Sequence, residues 1–212
     1  MTLADLKRVL AIFRKAEQPE WFAHIYPHGH ATARLARRFA AVCRKTARRP
    51  TLDEIEFGAY VHDIGKYVIS KAILLKPGPL NEEERVIMSH HPAYGVQILG
   101  GLPYLTTHIL QMVLYHHERW DGAGYPEGRA GEQIPIAARI VAVADVYTSL
   151  RARRSYKPTL TRAETYALLG EMAGRELDPD LVHEFLKFAR GQIHESAPDY
   201  IPFRALRSGS WK

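Results

Sequence analysis

The chain has 212 residues and a mass of 24.1 kDa, room for one compact domain with at most a short flanking extension. It is 46% hydrophobic and 25% charged with a mean hydropathy of −0.25, which supplies a core and excludes an intrinsically disordered chain. The net charge of +6 and pI near 9.4 favour a polyanionic partner such as nucleic acid, a nucleotide or acidic lipid, and the single cysteine, Cys43, excludes an intramolecular disulfide and any thiolate-rich zinc or iron–sulfur site.

Helical periodicity dominates and alternating runs of strand length are nearly missing, so the predicted fold class is all-α, a compact helical bundle. Residues 2–16 read as an amphipathic helix through Leu3, Leu6, Val9, Leu10 and Phe13. A second helix is predicted from near Pro27, a residue tolerated in a first turn, to about Ala47, with Leu35, Ala36, Phe39, Ala40 and Cys43 on one face. Thr51 and Glu54 have capping-box spacing for a third, which ends in the apolar run carrying His62 and Asp63. Asn81 followed by three glutamates starts a fourth. Further helices are predicted over about 105–117, 135–150, 161–173 and 179–190, and the Gly/Pro-rich stretches 76–80 and 121–135 read as loops. No signal peptide and no run of about 18 apolar residues is present, so a cytoplasmic location is expected.

Eleven histidines are unusual for this length, and nine lie between His24 and His117. Two adjacent pairs of metal-ligand type stand out, His62-Asp63 and His116-His117, each at the end of an apolar run. Neighbours on a helix point about 100° apart, so such a pair serves one ion from two sides or two neighbouring ions. An aspartate suits the second task, because its two oxygens can bridge cations about 3.5 to 4 Å apart. Asp145 interrupts the apolar run Ile140 to Ala144, where a lone carboxylate is costly unless paired or metal-bound. A single buried histidine is most often a hydrogen-bonded core residue; the clustering is what argues for a metal centre. Imidazole and carboxylate donors without thiolates suit iron, manganese or zinc better than calcium.

The string His62-Asp63-Ile64-Gly65-Lys66 resembles the metal-binding signature of the HD phosphohydrolase superfamily. The longer string from His116-His117-Glu118 through Asp121-Gly122 to Gly124-Tyr125-Pro126 resembles that of its HD-GYP branch. His91-Pro92 and the segment Ala138 to Tyr147 are similar to two further motifs, and the resemblance covers about residues 25–190 in the family's order. It implies an HD-domain bundle around a dinuclear metal site. The corresponding division is an N-terminal helix over 1–20, an HD-GYP domain over 21–195 and a basic C-terminal tail over 196–212.

By motif position the metal ligands would be His28, His62, Asp63, His91, His116, His117 and Asp145, with Asp63 and Lys66 as the catalytic pair. His24, His28 and His30 compete for the first place. From His28 the following positions are Thr32, Ala33, Leu35, Ala36, Phe39 and Ala40, whereas the same offsets from His30 meet Arg34, Arg37 and Arg38, so His28 is preferred and His30 remains the alternative. His24 stands where some members carry a glutamate that helps hold a third ion. Pro27 argues against a continuous helical turn there, so two divalent ions, iron or manganese, are expected, with a third as the alternative.

The resemblance further implies a phosphodiesterase of cyclic di-GMP or a related cyclic dinucleotide in second-messenger signalling. It would hydrolyse the 3′–5′ phosphodiester to linear pGpG or GMP through a hydroxide held between the ions. Lys66, Arg154 and Lys157 would bind the phosphates, a second cationic cluster suiting a substrate with two of them. The Asp121–Pro126 loop is expected to shape the pocket or meet a signalling protein. A nucleic-acid polymer or membrane is not expected, since the arginines of the second helix spread around it as a solvated face. Trp120 either stacks on guanine or packs the loop.

Ser155 stands where the family usually has proline, and Thr148-Ser149 where it usually has Asp-Ala, departures expected to alter substrate fit. Competing readings are a signalling adaptor with little turnover and an HD hydrolase of another nucleotide. No receiver or sensor domain is recognised, so regulation is expected through the amino-terminal helix, the tail Arg204 to Lys212, homodimerisation or a separate protein.

Overall fold

The computed structural model describes residues 19–44, 50–102, 105–152 and 159–191, with side chains from residue 25 onward. The predicted helix over 2–16, the basic tail, and Arg154, Ser155 and Lys157 lie outside the described residues.

Nine α-helices follow in chain order among those residues: α1 Pro19–Val42, α2 Leu52–Val61, α3 Lys71–Leu74, α4 Glu82–Ser89, α5 His91–Gly100, α6 Thr107–Tyr115, α7 Ile136–Arg151, α8 Arg162–Met172 and α9 Pro179–Gly191. Two 3-10 turns, Ile64–Val68 and Gly131–Gln133, join them, and the one β-type contact among them is an isolated bridge between Ala173 and Leu177. The fold is all-α, as the periodicity predicts.

Local chemistry sets most helix starts. Thr51, Asn81 and Thr161 each accept the amide of a glutamate three residues on, and that glutamate reaches back to the cap amide. The structure departs from expectation at α1, which starts at Pro19 and passes through Pro27. A proline inside a helix lacks its N–H and crowds the carbonyl four residues back; the helix continues because its later turns are packed on α2 and α7. The helix predicted to start at Asn81 is α4, which closes at His90, whose amide turns back to Ile87 and Met88; α5, with Pro92 in its first turn, follows at once and is not among the predicted helices.

The core is organised around α7. Its residues Ala137, Ala138, Ile140, Val141, Ala142, Val143 and Ala144 are all buried, so the helix is apolar nearly all round and packs against α1, α2, α6, α8 and α9. Phe39 of α1 and Phe185 of α9 are fully buried and meet edge to face, ring centroids 5.2 Å apart. Gly29 lets α1 lie directly on α2, since a Cβ there would sit 2.6 Å from the Tyr60 carbonyl oxygen. That close approach sets how near residue 28 can come to residue 62.

Candidate metal centre

Five of the seven candidate ligands sit where a helix begins or ends. His62 caps the C-terminus of α2, Asp63 precedes the first 3-10 turn, His91 opens α5, and His116 and His117 end α6. At such places the backbone turns away and a side chain can point along the helix axis into the bundle. His28 and Asp145 come instead from within α1 and α7.

The structure brings all seven into two groups. Asp63, His91, His116 and His117 form one; His28, His62 and Asp145 form the other; within each, one donor atom per residue lies within 4.8 Å of the rest. Asp63 joins them. Its Oδ1 is 3.3 Å from His91 Nε2 and 3.8 Å from His116 Nε2, while its Oδ2 is 3.5 Å from His62 Nε2. In the second group His28 Nε2 is 2.7 Å from Asp145 Oδ1, and His62 Nε2 is 3.7 Å from the same oxygen. His30 lies apart from both, beside Tyr26 with ring centroids 6.3 Å apart.

One local device orients three of the rings. His62, His91 and His116 each place Nδ1 against the carbonyl three residues back, Ala59, Met88 and Val113, at 2.6, 2.8 and 2.9 Å. A carbonyl oxygen only accepts, so Nδ1 carries a proton and each ring turns its Nε2 inward. The Nε2 atoms of His91 and His116 then face each other at 3.3 Å, two lone pairs that tolerate this distance only with a proton or cation between them. His62 Nε2 and Asp63 Oδ1 are buried with no hydrogen-bond partner. Inward lone pairs and an orphaned carboxylate oxygen are what a divalent cation satisfies, and the all-nitrogen and oxygen donor set fits iron, manganese or zinc. The residues present therefore fit a metal group.

Electrostatics separate the rings: burial alone would lower the His62 imidazole, but Asp63 and Asp145 outweigh it and hold His62 above its ordinary value, a positive charge at that position being favoured. Burial drives the His116 imidazole down to about 4, and burial together with the neighbouring His116 and His91 holds His117 well below its ordinary value, so both are neutral at pH 7, the form in which an imidazole can bind a cation. Burial alone would push the Asp63 carboxyl up; the Lys66 ammonium, 2.6 Å from Oδ2, and His62 overrule it and hold Asp63 ionised. Asp145 is likewise buried yet held well below the carboxylate range by His28 and His62. Lys66, expected one helical turn from the pair, stands on the 3-10 turn and reaches back to Asp63.

Sequence reasoning gave no role to Glu118. It is buried, and its carboxylate accepts the backbone amides of Glu127 at 2.8 Å and Arg129 at 3.0 Å, which ties the 121–129 loop to the end of α6. Tyr125 on that loop donates its amide to the His117 carbonyl and stacks on the His117 ring, centroids 4.9 Å apart and planes 29° from parallel. A buried acid beside a histidine pair is the only sequence signal for this clamp. Trp120 packs the loop, with the Arg139 guanidinium 5.6 Å above its ring. Thr148 and Ser149 are engaged inside the protein, with Thr32 and Asp145 respectively. His24 is carried by α1, continuous through Pro27, so the stated objection to a helical turn there falls; its side chain is outside the described ones.

Comparison with known proteins gives the family of the chain. The chain is 43% identical over 142 residues to the cyclic di-GMP phosphodiesterase response regulator RpfG of Xanthomonas campestris pv. campestris, covering 66% of this chain and 37% of that one. It is 38% identical over 162 residues to the 3′3′-cGAMP-specific phosphodiesterase 2 of Vibrio cholerae, covering 74% of this chain and 31% of that one. The chain thus spans about two fifths or less of the length of these relatives. Among solved structures, Bd1817 of Bdellovibrio bacteriovorus, described as a HDG"Y"P protein, superposes with a TM-score of 0.62 at 17% identity, over 87% of this chain and 58% of that one, a likeness of fold. Residues 21–181 match the family model of the HD domain, and the chain belongs to the HD domain family.

Proposed function

We propose that this chain is a metal-dependent phosphodiesterase of cyclic dinucleotides, with cyclic di-GMP as substrate and linear pGpG or GMP as product. The observation that carries the reading is the Asp63 carboxylate, whose two oxygens face different sets of imidazoles. Such a carboxylate suits a pair of cations about 3.5 to 4 Å apart, the spacing used in two-metal phosphoester cleavage. When bound, the ions supply Lewis-acid polarisation of a phosphoryl oxygen and activation of water as a nucleophile at neutral pH.

The chain's own residues do the rest. Asp63, His91, His116 and His117 would hold one ion and His28, His62 and Asp145 the other, with Asp63 shared; iron or manganese suits this donor set. Lys66 is 23% exposed at its side chain, so its ammonium borders both the carboxylate and solvent, the place from which it meets a phosphate. The 121–129 loop, clamped by Glu118, holds Tyr125 against His117 and forms a wall of the site. Arg154 and Lys157 are proposed to take the second phosphate, and the loop's outer face to meet a signalling partner. The second-messenger substrate and single cysteine suit a cytoplasmic protein. Relatives named for cyclic di-GMP and for 3′3′-cGAMP support the substrate class and leave the second base as the point of choice.

The test is hydrolysis by anaerobically prepared, Fe(II)- or Mn(II)-loaded protein, with cyclic di-GMP, 3′3′-cGAMP and cyclic di-AMP in parallel and products resolved by chromatography. Conversion of cyclic di-GMP that Asp63→Ala abolishes is the expected result. Faster turnover of another dinucleotide would reassign the substrate. Intact dinucleotides with the wild type and Asp63→Ala alike would leave a binding adaptor as the reading.

A further inference from the structure

We infer that Thr32 and Thr148 are positioning residues: a hydroxyl pair between α1 and α7 that sets the register in which His28 meets Asp145. The inference rests on the reading of His28 and Asp145 as ligands of one ion. It starts from two rungs between the same two helices. His28 Nε2 and Asp145 Oδ1 are 2.7 Å apart, and Thr32 Oγ1 and Thr148 Oγ1 are 2.8 Å apart. Thr32 lies four residues after His28 and Thr148 three after Asp145, so each threonine shares a helix face with its ligand, one turn along.

The proton positions make the second rung directional. Thr148 Oγ1 lies 3.0 Å from the carbonyls of Ala144 and Asp145, groups that can only accept, so Thr148 donates into its own helix and accepts from Thr32. Thr32 is fully buried, where a hydroxyl without a partner is costly. Other buried residues of the same helices, Ala33 and Ala36 on α1 and Val141 and Ala144 on α7, belong to one hydrophobic cluster and are small or apolar, so they impose no direction. Smooth surfaces of that kind let two helices slide; a buried hydroxyl pair does not. Ser149 adds a weaker contact, its Oγ 3.4 Å from the Asp145 oxygen that faces His28. The dipeptide Thr148-Ser149 is therefore spent on aligning one half of the centre.

The test is a titration of the metal-free full chain with Mn(II), read by calorimetry and by electron paramagnetic resonance of the free ion, alongside thermal unfolding. Thr148→Val is expected to weaken one of two ions by about tenfold or more, as loss of an outer partner does, and leave the other unchanged. Thr148→Ser, which keeps the hydroxyl, restores it. The double variant Thr32→Val/Thr148→Val removes both polar partners together, so its melting midpoint recovers toward wild type while the weakened ion stays weak. Wild-type affinities in Thr148→Val, equal weakening of both ions, or recovery of affinity along with stability in the double variant would each overturn the assignment. If the wild type itself takes up no Mn(II), the metal centre falls and the positioning role with it. Two ions in the wild type and no change in the variants removes the positioning role alone.

Discussion

Gly65 lies directly under the carbonyl of His91: a Cβ at Gly65 would overlap that oxygen and approach the Gly95 amide. The segment carrying His62 and Asp63 thus touches the segment carrying His91 main chain to main chain, and no flexible side chain is there to yield. Gly65→Ala is expected to destabilise by about 1–3 kcal/mol through overpacking and to draw His91 away from Asp63, which lies 3.3 Å from it. Denaturant unfolding and a metal titration measure the two effects. Gly170→Ala, with open space around an exposed position inside α8, is the control and should gain up to about 1 kcal/mol. Similar behaviour of the two variants would refute the close-packing argument.

Asp63→Asn removes the one carboxylate both ligand groups share. The expected outcome is loss of both ions and of turnover, measured by elemental analysis and product chromatography. One ion retained at wild-type affinity would show that the groups act independently. Lys66→Met keeps the aliphatic stem and removes the ammonium; it should retain metal while turnover drops on the order of 100-fold, the size expected for losing one electrostatic contact to a phosphoryl group.

The Glu118 clamp predicts a long-range effect. Glu118→Gln leaves one acceptor oxygen where two backbone amides converge, those of Glu127 and Arg129. Leaving one buried amide unpaired costs about 1–3 kcal/mol. Hydrogen exchange over residues 121–129 should accelerate, and exchange in α9 should not. Unchanged exchange in the loop would show that other contacts, such as Arg129 with Tyr115, suffice to hold it.

Acid sensitivity should centre partly on Glu54. Burial pushes its carboxyl up, but hydrogen bonds from Thr106, Thr51 and His108 outweigh this and hold it at about 2, below its ordinary 4.5. A carboxylate with a depressed folded value stabilises the protein above its unfolded value and loses that contribution as pH falls through the folded one. The stability gap between wild type and Glu54→Gln should be largest near neutrality and should shrink as pH drops from about 4.5 to about 2. Chemical denaturation across that range measures it; a constant gap would show that the shift does not matter to folding.

The amino-acid sequence by itself determined the helical class, the capping box of Thr51 and Glu54, the helix start at Asn81 and the ligand-type pairs, because each is written within one or two helical turns. The family's spacing of apolar residues after its first histidine favoured His28 over His30, and the two occupy different sides of α1 in the structure, one against Asp145 and the other beside Tyr26. Tertiary structure decided the rest. His28 meets Asp145 across 117 positions of chain, a contact that no local pattern encodes. The passage of α1 through Pro27 depends on packing against other helices, which overrides local preference, whereas the break at His90 is local, since Pro92 fits only the first turn of a new helix. In the sequence Glu118 is one letter of a motif string with no role of its own, and Thr148 stands out only as a departure from the family pattern. Their roles come from distant partners, backbone amides in a loop and a hydroxyl on another helix, which only the folded chain brings within reach.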